Sequence, residues 1–128
     1  MKAPVTFDVD GTLTAEPYDE SNLLTLKENP TMVILAMVLQ LERPLLISTA
    51  RPESLRHVTE SWLNKHGIYP VEIYMRPEDK DGVPDPLIKL EHLRNMQEKH
   101  GQPMLWVDDN LANIQMLKKN QVPVIHIT

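Results

Sequence analysis

Cysteine is absent from the 128-residue chain, which removes disulfides, thiolate zinc sites and a cysteine nucleophile in one step. Any metal chemistry must then rest on oxygen or imidazole ligands. The five histidines, His57, His66, His92, His100 and His126, form no metal-ligand pair, and no catalytic role is assigned to them. Basic residues are also short. A formal net charge of −5 argues against a long electrostatic grip on duplex nucleic acid, while a short grip on one phosphate needs few cations. The longest apolar run, Met32 to Leu39, is too short to span a bilayer and too deep in the chain to be a signal peptide. A cytoplasmic location with no membrane partner is expected. Glycine is scarce, four against eleven prolines, and the prolines stand mostly where helices or strands would begin.

What remains is an ordinary globular composition, 41% apolar and 24% charged, of a length that suits a single domain over residues 1–128. Its organising stretch is VTFDVDGTLT, Val5 to Thr14. An apolar, β-branched run breaks into Asp10-Gly11-Thr12, and Asp8 stands on the alternate position facing the same way as Asp10. An unpaired carboxylate inside such a strand is costly to bury. Two aligned acids at a strand end suit a hard cation, or a division of labour between nucleophile and acid/base.

Strand and helix signals then alternate. The stretch Gly11 to Asn22 is polar and reads as a loop or small flap. Asn29-Pro30 opens a helix to about Leu41 whose nearly all-round apolar surface is expected to pack on a sheet. Leu45 to Ile47 form a strand ending in a hydroxyl loop, Ser48 to Arg51, before a helix from Leu55 to Lys65. Val71, Ile73 and Met75 give a third strand, followed by a polar loop, Arg76 to Pro86, and a helix through Ile88, Leu93 and Met96. Met104 to Val107 is the fourth strand, Asn110 reads as the cap of the next helix, and Val122 to Ile127 is the last strand. This predicts a three-layer α/β/α sandwich with a five-stranded parallel sheet and right-handed crossovers. Trp62 and Trp106 fall at core positions.

If the strand order reverses beside the first strand, Asp8 and Asp10 meet Asp108 and Asp109 from the fourth. Two unit charges about 4 Å apart repel by roughly 4 kcal/mol at an effective dielectric of 20. Such a cluster calls for protons or a divalent cation, and oxygen ligands favour magnesium.

FDVDGTL at Phe7 to Leu13, LLISTAR at Leu45 to Arg51, Lys89, and WVDDN at Trp106 to Asn110 resemble the four motifs of the haloacid dehalogenase-like phosphohydrolases. The resemblance implies that Asp8 takes the phosphoryl group as nucleophile and that Asp10 protonates the leaving oxygen, then activates water. It further implies that Thr49 and Lys89 hold the phosphate. Mg2+ would rest on Asp8, the backbone carbonyl of Asp10 and the fourth-motif acids, with Asp109 the direct ligand and Asp108 behind it. The run Thr49-Ala50-Arg51, then Tyr74-Met75-Arg76, Asp85, Lys89 and a doubled Asp is similar to the phosphatase domains of phage polynucleotide kinase and its relatives, which act on 3′-phosphates. Ala50 stands where glycine is usual there, and Asn110 where arginine is. No kinase phosphate-binding loop is present.

Gly11, Thr12, Ala50, Arg51, Arg76 and Asp85 are therefore the substrate-binding candidates. Arg51 and Arg76 lie just past the ends of strands two and three, and at least one is expected to be free for a neighbouring nucleotide. The assigned elements leave no space for an inserted cap domain, so the site should be open to the end of a polymer, an exposed phosphate or a small nucleotide. The expected activity is a magnesium-dependent phosphomonoesterase with an aspartyl-phosphate intermediate, acting on the 3′-phosphate of a polynucleotide or nucleotide. A nucleoside monophosphatase or protein phosphatase of the same fold is the alternative. A non-catalytic receiver-like phospho-acceptor is disfavoured, because the third strand ends in Met75-Arg76 where a receiver carries its acceptor Asp.

Overall fold

In the computed structural model, which describes residues 2–128, β1 (Val5–Phe7) is the central strand of a five-stranded sheet. β2 (Leu45–Pro52) and β3 (Glu72–Arg76) follow on one side, and β4 (Leu105–Asp108) and β5 (Val124–His126) on the other, all parallel. The order β3-β2-β1-β4-β5 runs outward in both directions from β1. The carboxyl ends of β1 and β4 therefore sit side by side, at the reversal expected to hold ligands.

Helices α1 (Pro30–Gln40), α2 (Arg56–Lys65), α3 (Asp85–Lys99) and α4 (Leu111–Lys119) cover the two faces. Side chains alternate along each strand and so sort the core into two layers. Val5, Phe7, Ile47 and Val107 pack with Val33 and Ala36 of α1 and Trp62 and Leu63 of α2. Leu46, Tyr74 and Trp106 pack with Leu93 and Met96 of α3 and Leu117 of α4. One residue pair further along the same parity come Asp8, Ser48 and Asp108, so the α3 face is apolar at its base and chemical at its carboxyl end.

Local signals behave as their chemistry dictates. Asn29 caps α1 by accepting from the Met32 N–H at 3.2 Å, and Asn110 caps α4 by accepting from the Asn113 N–H at 3.0 Å. Both tryptophans are fully buried, and the Trp62 indole donates to the Leu26 carbonyl at 2.9 Å. That bond pins the segment after β1 onto α2; the segment also contains a 3-10 turn, Glu20–Thr25, and an antiparallel bridge from Thr14 to Glu28.

Three expectations shift. Ser48 to Arg51 continue β2 instead of forming a loop, because the strand pairs again with β3 at Pro52–Arg76 after a break in register. α3 begins at Asp85, since Pro86 is well tolerated in a first helical turn. α1 is not covered all round: Val33 and Ala36 are buried, while Ile34 and Val38, and Leu41 just past its end, face outward. Strand and helix alternate with no inserted cap domain among the described residues, and no helix there is long and apolar enough to cross a membrane.

Candidate active site

After Phe7 the chain curls round the Val9 carbonyl, which accepts the N–H groups of Thr12, Leu13 and Thr14 at 3.2, 2.9 and 3.1 Å. Gly11 takes φ +78° in this turn, a conformation that costs other residues about 1–2 kcal/mol. The curl sends Asp8 and Asp10 to different partners. Asp8 receives Lys89 Nζ on Oδ1 at 2.6 Å and the Thr12 hydroxyl on Oδ2 at 3.0 Å. Asp10 is clasped bidentately by Arg51, at 2.9 Å from Nε and 2.7 Å from Nη2. Arg51 is fixed in turn by donating to the Thr59 hydroxyl at 3.0 Å.

Lys89 is the buried centre of the site, 2% exposed. Its ammonium also donates to Asp108 Oδ2 at 2.8 Å. Burial works against that charge, but Asp8 and Asp108 outweigh it and hold the pKa above the ordinary lysine range. Asp8 is raised well above the usual carboxylate value, first by burial and then by Asp108 and Asp109, against the pull of Lys89.

The carboxylates of Asp8, Asp108 and Asp109 can each present an oxygen within 4.8 Å of the others. This hard, all-oxygen donor set fits a magnesium ion. The three acids are not equivalent. Asp108 is fully buried, and both of its oxygens are engaged: Oδ1 accepts from the Asn110 N–H at 3.0 Å and Asn113 Nδ2 at 3.3 Å, while Oδ2 faces Lys89 and the Trp106 indole. Asp109 is exposed and lies against Gly11, where a Cβ would collide with its carboxylate. The Asp10 carboxylate belongs to Arg51 and stands outside this group.

Thr49 is buried, and its hydroxyl oxygen accepts from the Arg51 N–H at 3.2 Å, leaving the O–H to donate. Arg76 Nε donates to the Ala50 carbonyl at 3.1 Å. Its Nη1 donates to the Lys80 and Val83 carbonyls at 2.8 and 2.6 Å, and its Nη2 to Asp85 at 2.6 Å. Both arginines thus enter the cleft already paired: Arg51 is held against Asp10 and Thr59, and Arg76 with Asp85 ties down the loop before α3. Asp8, Asp10, Gly11, Thr49, Ala50, Arg51, Arg76, Asp85, Lys89, Asp108 and Asp109 all line one cleft of ≈ 560 Å³, and Thr12 alone of the residues expected at the site does not.

His92, one turn beyond Lys89 on α3, has no catalytic role but a structural one. Its Nδ1 lies 2.7 Å from Ser48 Oγ and its Nε2 2.9 Å from the Met75 carbonyl. The carbonyl can only accept, so Nε2 carries the proton and Nδ1 accepts from the serine. Burial pushes this imidazole down to about 4, with partial opposition from the Met75 carbonyl. A neutral ring thus straps α3 to the strands that precede Thr49 and Arg76. The signal was the i, i+3 spacing from Lys89 on one helix face.

Solved structures share this architecture. The "Pnkp1/Rnl/Hen1 RNA repair complex" contains a chain superposing with TM-score 0.87 at 21% identity, over 98% of this chain and 42% of that one. A second structure of the Pnkp1/Rnl/Hen1 complex gives TM-score 0.84 at 22% identity, over 98% and 45%. The protein thus spans less than half the length of those chains. The D,D-heptose 1,7-bisphosphate phosphatase from B. bronchiseptica, complexed with magnesium and phosphate, superposes with TM-score 0.65 at 13% identity, over 96% and 79%. A HAD-like phosphatase from Mesorhizobium loti gives 0.67 at 16%, over 94% and 69%. No curated protein matches the sequence. The family model of the polynucleotide kinase PNKP phosphatase domain matches residues 2–128, and the chain therefore belongs to that family of haloacid dehalogenase-like phosphatases.

Proposed function

We propose that the protein is a magnesium-dependent phosphomonoesterase that removes the 3′-phosphate from a nucleic-acid end or nucleotide. The observation that carries the reading is the separation of the two acids of β1: Asp8 is buried against Lys89, and Asp10 is held apart by Arg51. Two carboxylates with different partners suit two chemical roles.

Asp8 attacks phosphorus, forming an aspartyl-phosphate as the bond to the leaving oxygen breaks. Asp10, aimed by Arg51, gives that oxygen a proton. It then takes one from the water that attacks the aspartyl-phosphate, releasing inorganic phosphate and restoring Asp8. Lys89 and the free Thr49 O–H neutralise and hold the transferring oxygens. Asp8, the Asp10 carbonyl and Asp109 would hold Mg2+, with Asp108 fixing the surroundings, because both Asp108 oxygens already have protein partners. The ion supplies charge neutralisation at the phosphoryl group.

The family match and the Pnkp1 structures from an RNA repair complex support a nucleic-acid end as substrate, as does the capless, open cleft. The test is phosphate release from 3′- and 5′-phosphorylated oligonucleotides, with and without magnesium. Faster release from 3′ ends that requires the metal bears the reading out. A preference for 5′-phosphates, or release indifferent to magnesium, sinks it.

A further inference from the structure

The cleft has no cation left over among the described residues. Lys89 is held by Asp8 and Asp108, Arg51 by Asp10, and Arg76 by Asp85. Its rim adds Glu20 and Asp81, which repel a second phosphate. With every cation of the cleft already paired and two acids added at its rim, charge is a poor handle for anything beyond the transferred phosphate.

Tyr18 is the one aromatic side chain lining the cleft among the described residues, and it is 43% exposed. Its ring centroid lies 5.9 Å from the Arg51 guanidinium carbon, a cation–π distance. That guanidinium cannot wander, because Asp10 and Thr59 occupy all three of its nitrogens and its side chain is 1% exposed. The segment carrying Tyr18 is anchored too: the Ala15 N–H donates to the Lys27 carbonyl at 2.8 Å, and Thr14 bridges to Glu28. An ordered, partly exposed aromatic ring loses little freedom when a ligand settles on it.

Position supplies the second argument. In the reaction proposed above, Asp10 serves the leaving oxygen, so the leaving group emerges beside Asp10. Tyr18 rests on the arginine that holds Asp10. We infer that Tyr18 is the stacking seat for the nucleobase of the terminal nucleotide, so that the cleft recognises one phosphate and one base. This rests on the phosphomonoesterase reading for the direction of the leaving group. Ring stacking selects for a base on the leaving group and tolerates any base because each has a π face, while the 3′ position of the phosphate comes from the reaction proposed above.

The test compares adenosine 3′-phosphate with 1,2-dideoxyribose 3-phosphate, which lacks a base. Binding of each to the wild type, Tyr18→Ala and Tyr18→Phe is measured by calorimetry, with phosphate release followed on the same compounds. The wild type should bind the base-bearing ligand about tenfold tighter. Tyr18→Ala should erase that ratio and Tyr18→Phe should keep it, since the Tyr18 hydroxyl has no hydrogen-bond partner among the described residues. Equal binding of both ligands by the wild type, or a ratio that survives in Tyr18→Ala, overturns the seat. Base-dependent binding without phosphate release would support the seat and remove the phosphatase chemistry instead. Phosphate release with no base preference would do the reverse.

Discussion

Lys89 Nζ sits 2.6 Å from Asp8 Oδ1, with both residues buried, and that pair joins α3 to the end of β1. A buried pair adds little net stability, but breaking one leaves an uncompensated charge. Lys89→Met should therefore lower the unfolding free energy by about 3–5 kcal/mol in urea titrations and abolish phosphate release. A variant as stable as the wild type would show that Asp8 and Asp108 do not depend on this ammonium.

Magnesium should raise the thermal midpoint, because a ligand bound by the folded state alone stabilises it by about 2.7 kcal/mol at one hundred times its Kd. Asp109→Asn should lose that rise while keeping a midpoint near the wild-type value without metal, since Asp109 is exposed. Asp108→Asn should be the less stable of the two without metal, as it disturbs the partners of a fully buried carboxylate. Scanning calorimetry with and without millimolar magnesium checks both. A rise retained in Asp109→Asn would shift direct ligation to another acid.

Asp10→Asn removes the proton donor but leaves the nucleophile. Hydrolysis of an alkyl phosphate should fall about 10²–10⁴-fold, and that of nitrophenyl phosphate, whose leaving group needs little protonation, should fall far less. Equal losses in kcat/KM on the two esters would contradict the separate roles of Asp8 and Asp10.

The strand ends were legible because a parallel sheet imposes a two-residue repeat: Asp8 and Asp108 share a face by parity alone, and WVDDN carries its own cap in Asn110. The fates of Arg51 and Arg76 were not legible. Sequence shows a guanidinium near a rim but not the Thr59 hydroxyl eight residues on, nor the Lys80 and Val83 carbonyls that consume it. Their burial depends on how loops fold back, which no local pattern encodes. Tyr18 was hidden in a polar segment for the same reason, since only the tertiary fold lays that segment beside Arg51. His92 kept the periodicity of a helix face, but its two partners come from β2 and β3.

The neutral His92 sets a pH limit. Its pKa falls from 6.5 unfolded to about 4 folded, so the unfolded chain binds the extra proton between those values. This contribution to stability is complete above about pH 6.5 and is lost as pH falls toward about 4, worth roughly 3 kcal/mol over the whole window. His92→Gln should be less stable at neutral pH and show a shallower decline over that range in urea titrations. An unchanged slope would mean that other groups govern the acid limb.

Asp8 as the phosphoryl acceptor is the step on which every other role in the cleft depends. Wild-type protein mixed with a 3′-phosphorylated oligonucleotide and magnesium, quenched in acid and digested, can be read peptide by peptide in a mass spectrometer. One added phosphoryl group is expected on the peptide containing Asp8, absent from Asp8→Asn, which should also release no phosphate. Steady phosphate release by Asp8→Asn, or a phosphoryl group carried on another residue, would contradict it.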